Sequence, residues 1–314
     1  MKIGLTGGTG FIGSHLVDQL AADDHQIVLV SRSGSKGNEA LQDHPGTELF
    51  QASITDREAL QTAFADCDRI IHLAGINIER GTQTYDAVHV RGTKNVVAAA
   101  KDGDASKILL SSFLRARPNC GSAYHESKWQ AEQIVRNSEM DYTIFKPGIT
   151  YGPGDHMLDH LSRALSTVPV FPTIGFAEHR LRPLAIADLV DCLVASAVDN
   201  KLSKATVGVV GPEEVTLREM VRRVGTVLGK NPLIFPLPVF VHYGLAQVQE
   251  RVLEIPITTV GQIRILAEGA SEPAPTSVCE PLTDELEPTR SFSKERIADG
   301  ITTTDPYGFS DLRW

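Results

Sequence analysis

Two apolar rhythms alternate through the first half of the chain. Lys2–Leu5 is a short apolar run; after a cluster of glycines, Phe11, Ile12, Leu16 and Leu20 recur at helical spacing. Gln26–Val30 is a second run, rich in β-branched residues as a buried strand is, and Leu49–Ala52 reads as a third. Glu58–Ala65 then predicts a helix and Arg69–Leu73 a strand. Thr84–Ala100 predicts a long helix, Lys107–Ser111 a strand, Ala123–Asn137 a helix and Tyr142–Lys146 a strand. Strand and helix in strict alternation imply a parallel sheet with helices on both faces and right-handed crossovers.

The rhythm changes at Pro147, where prolines gather at 147, 153, 169, 172 and 183. It resumes with a helix at Ile186–Val198, a strand at Thr206–Val210 and a helix at Thr216–Leu228. Thr216 is placed to cap that helix, with Glu219 at capping-box spacing. Glu272–Thr289, rich in Pro, Ser, Thr and acids, reads as a loop. Leu233–Ala246 is the most apolar later stretch. Pro236 and Pro238 interrupt it, and it is too short to span a bilayer. With Val248, Val252 and Ile255 following at helical spacing, it fits ordinary core, a dimer face, an interfacial or partner-facing surface, or the cover of a lipid-like or isoprenoid substrate.

Composition narrows the class. The 314 residues are 42% hydrophobic and 22% charged, ordinary for a soluble globular chain. A net charge of -9 argues against a general nucleic-acid binder, which needs a basic face. Cys67, Cys120, Cys192 and Cys279 form no CxxC pair and suggest neither zinc nor a disulfide framework. No secretory leader is read at the start, and free thiols fit a cytoplasmic location with no integral membrane segment.

The chemistry begins at Thr6-Gly7-Gly8-Thr9-Gly10-Phe11-Ile12-Gly13, set between the first strand and an amphipathic helix. Gly7 permits a tight turn, Gly10 lets backbone approach a pyrophosphate, and Gly13 lets helix and strand pack closely. The helix N-terminus adds free N–H groups and partial positive charge. The pattern predicts a nicotinamide dinucleotide held on Gly7, Thr9, Gly10, Phe11, Ile12 and Gly13. The second strand ends in Ser31-Arg32-Ser33, with no acid for the ribose 2′-hydroxyl. Arg32, helped by Ser31, Ser33 and Lys36, suits a 2′-phosphate instead, which favours NADP(H) over NAD(H).

Taken in order, TGGTGFIG, Ile70-Ile71-His72-Leu73-Ala74-Gly75, Tyr124-His125-Glu126-Ser127-Lys128, Lys146-Pro147-Gly148 and Tyr151-Gly152-Pro153-Gly154-Asp155 resemble an extended or atypical short-chain dehydrogenase/reductase over roughly residues 1–210. The branch is similar to NAD-dependent epimerase/dehydratases and to the nucleotide-binding accessory subunit of respiratory complex I. The resemblance implies a Rossmann-type doubly wound α/β fold: a dinucleotide domain over 1–150 and a smaller substrate-binding region over 151–314, with 186–210 returning to the sheet. It also implies that Ser53, Ile54, Leu73, Ala74, Gly75, Pro147, Gly148 and Ile149 line the cofactor.

Tyr124 and Lys128 share one helix face. A nearby ammonium lowers a tyrosine's pKa, and the resemblance makes Tyr124 the general acid/base, with Lys128 on the nicotinamide ribose. It also implies a hydroxyl after the preceding strand. Ser112 is the first choice and Ser111 the second, because the usual position holds Phe113. His72 and His89 read as structural, with a solvent relay as the alternative for His89. Asp188 reads as a helix N-cap, and Arg180 and Arg182 as ligand contacts or ion pairs. The expected activity is that of an NAD(P)-dependent oxidoreductase or an epimerase/dehydratase-like enzyme, moving a hydride between the nicotinamide and a small carbonyl/hydroxyl substrate in a monomer or homodimer. The alternative is a protein that binds NADPH without turnover, as a redox sensor or complex-stabilising subunit.

Overall fold

Seven parallel strands make the central sheet of the computed structural model, in the order Ala205–Val209, Asp141–Pro147, Lys107–Ser111, Arg69–His72, Lys2–Thr6, Gln26–Ser31 and Thr47–Gln51. It describes residues 1–33, 44, 46–252, 260–275, 277 and 279–308, those at 250–252 as backbone only. Lys36 and Ile255 lie outside the described residues. In chain order the elements are β1 (Lys2–Thr6), α1 (Phe11–Ala22), β2 (Gln26–Ser31), β3 (Thr47–Gln51), α2 (Arg57–Phe64) and β4 (Arg69–His72). A π-helical segment (Asp86–Gly92), α3 (Thr93–Asp102), β5 (Lys107–Ser111), α4 (Ala123–Arg136) and β6 (Asp141–Pro147) follow. Next come β7 (Thr150–Tyr151), α5 (His156–Thr167), β8 (Val170–Ile174), β9 (Arg180–Leu181), β10 (Leu184–Ala185), α6 (Ile186–Ala197) and β11 (Ala205–Val209). The chain continues through β12 (Val215–Thr216), α7 (Leu217–Val227), β13 (Leu233–Leu237), α8 (Val239–Val252), α9 (Val260–Glu268) and α10 (Lys294–Gly300).

Two units share the chain. The first comprises Met1–Pro147, Ile186–Val209 and Pro273–Glu287; the second comprises Gly148–Ala185, Val210–Glu272 and Pro288–Trp314. The first holds the sheet. β1 pairs with β2 on one side and β4 on the other, so strand order reverses between β1 and β4, the place where open parallel sheets bind ligands. Val28, Phe64, Ile70, Val96, Ile108, Val135 and Ile144 build one face of its core. α6 packs beside α1, and β11 pairs in parallel with β6. The stretch read as a loop, Pro273–Glu287, lies against that edge: the Glu280 N–H donates to the Thr206 carbonyl at 2.7 Å. An edge strand leaves one row of backbone groups open, and this segment covers part of it. Besides the return expected at 186–210, Pro273–Glu287 is a second segment that joins the first unit.

The second unit has its own core, with Tyr151, Leu158, Leu181, Met220, Val224 and Phe292 fully buried. The Tyr151 hydroxyl donates to the Ser291 carbonyl at 2.8 Å, and its ring meets Phe292 edge-on at 4.8 Å. β8 pairs with β13 in parallel despite Pro172 and Pro236, because in a two-stranded ribbon a proline nitrogen can face outward. The Thr216 hydroxyl accepts from the Glu219 N–H at 3.2 Å and caps α7. Asp188 is a correction: it lies inside the first turn of α6, not before it.

Candidate functional site

The glycine turn has the geometry of a backbone cradle. Gly7 stands at φ +77, and a β-carbon there would lie 2.5 Å from the Ala74 nitrogen. The turn is thus pressed onto Leu73 and Ala74 at the end of β4. A β-carbon on Gly13 would collide with the Gly7 carbonyl oxygen and with Gly8. α1 begins at Gly10 with no side-chain cap. Side-chain oxygens cap α2 (Asp56), α4 (Ser122), α5 (Asp155), α7 (Thr216) and α10 (Ser293). The first N–H groups of α1 are therefore left for a ligand, and an anion such as a pyrophosphate fits them.

Around that turn the expected cofactor residues fall as follows. The Ser31 and Ser33 hydroxyls lie 3.2 Å apart at the end of β2. Arg32 between them is exposed, and among the described residues its guanidinium makes no ion pair. Its carbonyl accepts from Gln51 Nε2 at 3.2 Å, which fixes the backbone and leaves the side chain free to move. The Ser53 hydroxyl pairs with Thr55 at 2.8 Å. The Ile54 carbonyl accepts from Asn95 Nδ2 at 3.0 Å. Pro147 ends β6 and accepts from the Leu114 N–H at 2.9 Å; Gly148 and Ile149 open the second unit.

Beside β4, a chain of hydrogen bonds fixes two histidine tautomers. The Thr93 hydroxyl donates to the His89 carbonyl at 2.6 Å, so it must accept from His72 Nε2–H at 3.1 Å. His72 Nδ1 then accepts from the Thr6 hydroxyl at 2.6 Å. In the same way, His89 Nε2 accepts from the Ile76 N–H at 3.1 Å, leaving Nδ1–H for the Ser127 hydroxyl at 2.8 Å. Burial first, and the Lys128 cation second, lower the pKa of His72 to about 3 and of His89 to about 2. Both are neutral, with both ring nitrogens engaged. His89 lies in the π-helical segment; the widened turn continues into α3 with no cap between.

Tyr124 and Lys128 project from the first turns of α4, as their spacing requires. Lys128 Nζ donates to the Ser111 carbonyl at 3.2 Å, and a β-carbon on Gly75 would stand 3.0 Å from that nitrogen. The ammonium therefore lies beside the strand end that the glycine turn touches. Burial lowers its pKa to about 8, against a smaller opposing pull from Glu132. The expected lowering of the Tyr124 pKa by the nearby ammonium is corrected: burial raises it, with Tyr85 adding to the effect. The Tyr124 ring lies within a collar of Tyr85 (5.7 Å), His89 (5.8 Å), Phe113 (5.8 Å) and His125 (5.6 Å). Among the described residues no hydrogen bond engages its hydroxyl.

The two serines at the end of β5 make different contacts. The Ser112 hydroxyl donates to Glu132 Oε1 at 2.5 Å. Glu132 also pairs with Lys146 at 2.7 Å and Arg136 at 2.9 Å, a triad one helical turn beyond Lys128 in which Glu132 and Lys146 are buried and Arg136 half-buried. Only the Ser111 carbonyl meets Lys128. Side chains alternate across a strand, and Ser112 faces α4, which leaves Ser111 on the opposite side. Phe113, not a serine, reaches the Tyr124 ring. The collar was not legible from spacing, because Tyr85 and His89 come from a π-helical turn whose residue pattern is that of an α-helix.

Comparisons with known proteins place the chain among its relatives. Residues 7–159 match the family model described as NAD(P)H-binding. The chain is 28% identical to the ceramide reductase of Caulobacter vibrioides, over 75% of this chain and 73% of that protein. It is 25% identical to the mitochondrial NADH dehydrogenase [ubiquinone] 1 alpha subcomplex subunit 9 of Arabidopsis thaliana, over 74% of this chain but only 59% of that protein. Among solved structures, the UDP-glucuronic acid 4-epimerase of Bacillus cereus in complex with NAD superimposes at TM-score 0.66 and 20% identity, over 76% of this chain and 87% of that one. The Thermus thermophilus UDP-glucose 4-epimerase complex with NAD does so at 0.67 and 18%, over 96% and 97%. Residues 7–159 are therefore similar to NAD(P)H-binding domains, the chain is similar to the ceramide reductase and the complex I subunit 9 proteins, and it shares the fold of the NAD-complexed epimerases.

Proposed function

We propose that the chain is an NADP(H)-dependent oxidoreductase that reduces a carbonyl to a hydroxyl, with Tyr124 as the proton donor. The observation that carries the reading is the Tyr124–Lys128 pair. One helix face holds both, and the Lys128 ammonium lies beside Gly75 at the strand end that the glycine turn touches. The nicotinamide, when bound, supplies the hydride. Tyr124 transfers its phenolic proton to the substrate oxygen, and the proton is replaced from solvent. A raised pKa keeps Tyr124 protonated at neutral pH, which suits an acid and hence the reductive direction. The name of one relative, ceramide reductase, points the same way. Lys128 holds the cofactor ribose. The Ser112 hydroxyl donates to Glu132, so the proton transfer is assigned to Tyr124. Arg32, with Ser31 and Ser33, supports NADPH over NADH.

The second reading is NADPH binding without turnover. Phe113 favours it, since it stands at the Tyr124 ring where the family resemblance calls for a hydroxyl. Titration with NADPH and a panel of ketones separates the two. Enzyme activity predicts NADPH oxidation that Tyr124→Phe abolishes without weakening NADPH binding. Tight NADPH binding with no ketone consumed favours the second.

A further inference from the structure

Seven of the eight large hydrophobic side chains exposed among the described residues belong to two segments of the second unit. Between Arg163 and Glu178, and again between Lys230 and Glu250, the sequence contains no Asp, Glu, Lys or Arg, in a chain that is 22% charged. The two segments are neighbours: β8 and β13 pair along their length, with Leu233 opposite Val170, and the Gly175 N–H donates to the Leu237 carbonyl at 2.7 Å. Val170 and Leu233 are both exposed at one end of this ribbon, with Val168 just before it.

At the other end are Phe176 and, on α8, Phe240, each 75% exposed. α8 turns Val239, Tyr243 and Ala246 toward Ile174 and α9, and His242 donates from Nε2 to the Thr173 carbonyl at 3.1 Å. That is its buried face. Its opposite face carries Phe240, Gly244, Leu245 and Val248, all exposed. A helix that is apolar on the side facing water, not only on the side facing the core, lacks a partner on that side.

We propose that this face of the second unit seats on the interface of a lipid bilayer. The charges at its margins are accounted for within the unit: Arg218 donates to Glu178 at 2.5 Å, and Lys230 donates to the Leu165 carbonyl at 3.1 Å. Despite a net charge of -9, the described side chains of this face therefore present no uncompensated carboxylate to phospholipid phosphates. A protein partner asks for a polar rim and roughly one hydrogen bond per 100–200 Å². The exposed positions of α8 from Val239 to Val248 offer one amide, Gln247. Acyl chains ask for no hydrogen bonds, and phenylalanines such as Phe176 and Phe240 partition well into the headgroup boundary. No helix among the described residues is long and apolar enough to cross a membrane, so contact is by partial insertion of this face.

Flotation of the full chain with phosphatidylcholine vesicles, with and without phosphatidylglycerol, tests the proposal. The chain is expected to float with both compositions and to stay bound in high salt. The variant Phe176→Ser/Phe240→Ser is expected to lose affinity by about tenfold for each phenylalanine removed. Its thermal melt and NADPH binding should be unchanged, since both residues are exposed. Three results overturn the proposal: no flotation with either vesicle; flotation only with phosphatidylglycerol and lost in salt; or a dimer in light scattering that the double substitution dissociates, which makes a second copy the occupant.

Discussion

The Nζ of Lys128 donates to the carbonyl oxygen of Ser111 at 3.2 Å, and burial has lowered its pKa to about 8. The ammonium is therefore present below pH 8 and lost above it. A cofactor ribose or phosphate gains more from the ammonium than from the amine, so NADPH affinity should be full below pH 8 and decline above. Lys128→Met should weaken binding at neutral pH by about 10- to 100-fold, the scale of a hydrogen bond to a charged group, and should flatten the pH dependence. Calorimetric titration at pH 7 and pH 9 checks both. Stability moves the other way. The unfolded chain keeps this proton up to its ordinary value while the folded chain releases it near pH 8, so this group's share of the unfolding free energy rises between the two.

The Glu132 triad is predicted to serve folding. Glu132→Ala leaves the buried Lys146 ammonium without its carboxylate and should cost about 3–5 kcal/mol. Ser112→Ala removes a single donor from the triad and should cost about 1–3 kcal/mol. Urea denaturation measures both. NADPH binding by Ser112→Ala should match wild type, and a loss of turnover with unchanged stability would return Ser112 to the list of catalytic groups.

His72 and His89 predict acid sensitivity. Both are neutral in the fold, with pKa values near 3 and 2, while the unfolded chain protonates histidine near 6.5. Between those values the unfolded state holds more protons, so stability should fall as pH drops through 6.5 and keep falling toward 3. The urea midpoint should be lower at pH 5 than at pH 7. Thr93→Val, which leaves His72 Nε2–H without its acceptor, should cost about 1–3 kcal/mol at pH 7.

Arg32 sets the cofactor prediction. NADPH should bind more tightly than NADH, and Arg32→Ala should erase the difference by weakening NADPH alone. Equal wild-type affinities for the two dinucleotides would remove the role given to Arg32.

The fold was legible where periodicity switches cleanly. β1, the glycine turn and α1 stand out because an apolar run gives way at Gly7 to spacing of three and four. Tyr124 and Lys128 were legible for the same reason, as one helical turn fixes their shared face. Three features were not. The Asp86–Gly92 turn has the residue pattern of an α-helix, so its π geometry, which brings Tyr85 and His89 to Tyr124, leaves no mark in the sequence. The directions of Ser112 and Phe113 depend on where β5 ends and on Glu132, twenty residues further along. Pro172 and Pro236 hid β8 and β13, since proline breaks a central strand but not a two-stranded ribbon.

The account rests most directly on Tyr124. Its decisive measurement is NADPH oxidation by wild type and Tyr124→Phe on a panel of ketones, with NADPH affinity determined for both proteins. The account predicts turnover in the wild type, a loss of about 10²- to 10⁴-fold in the variant, and equal affinities. A variant that oxidises NADPH as fast as wild type, or a wild type that binds NADPH tightly and reduces no ketone, contradicts it.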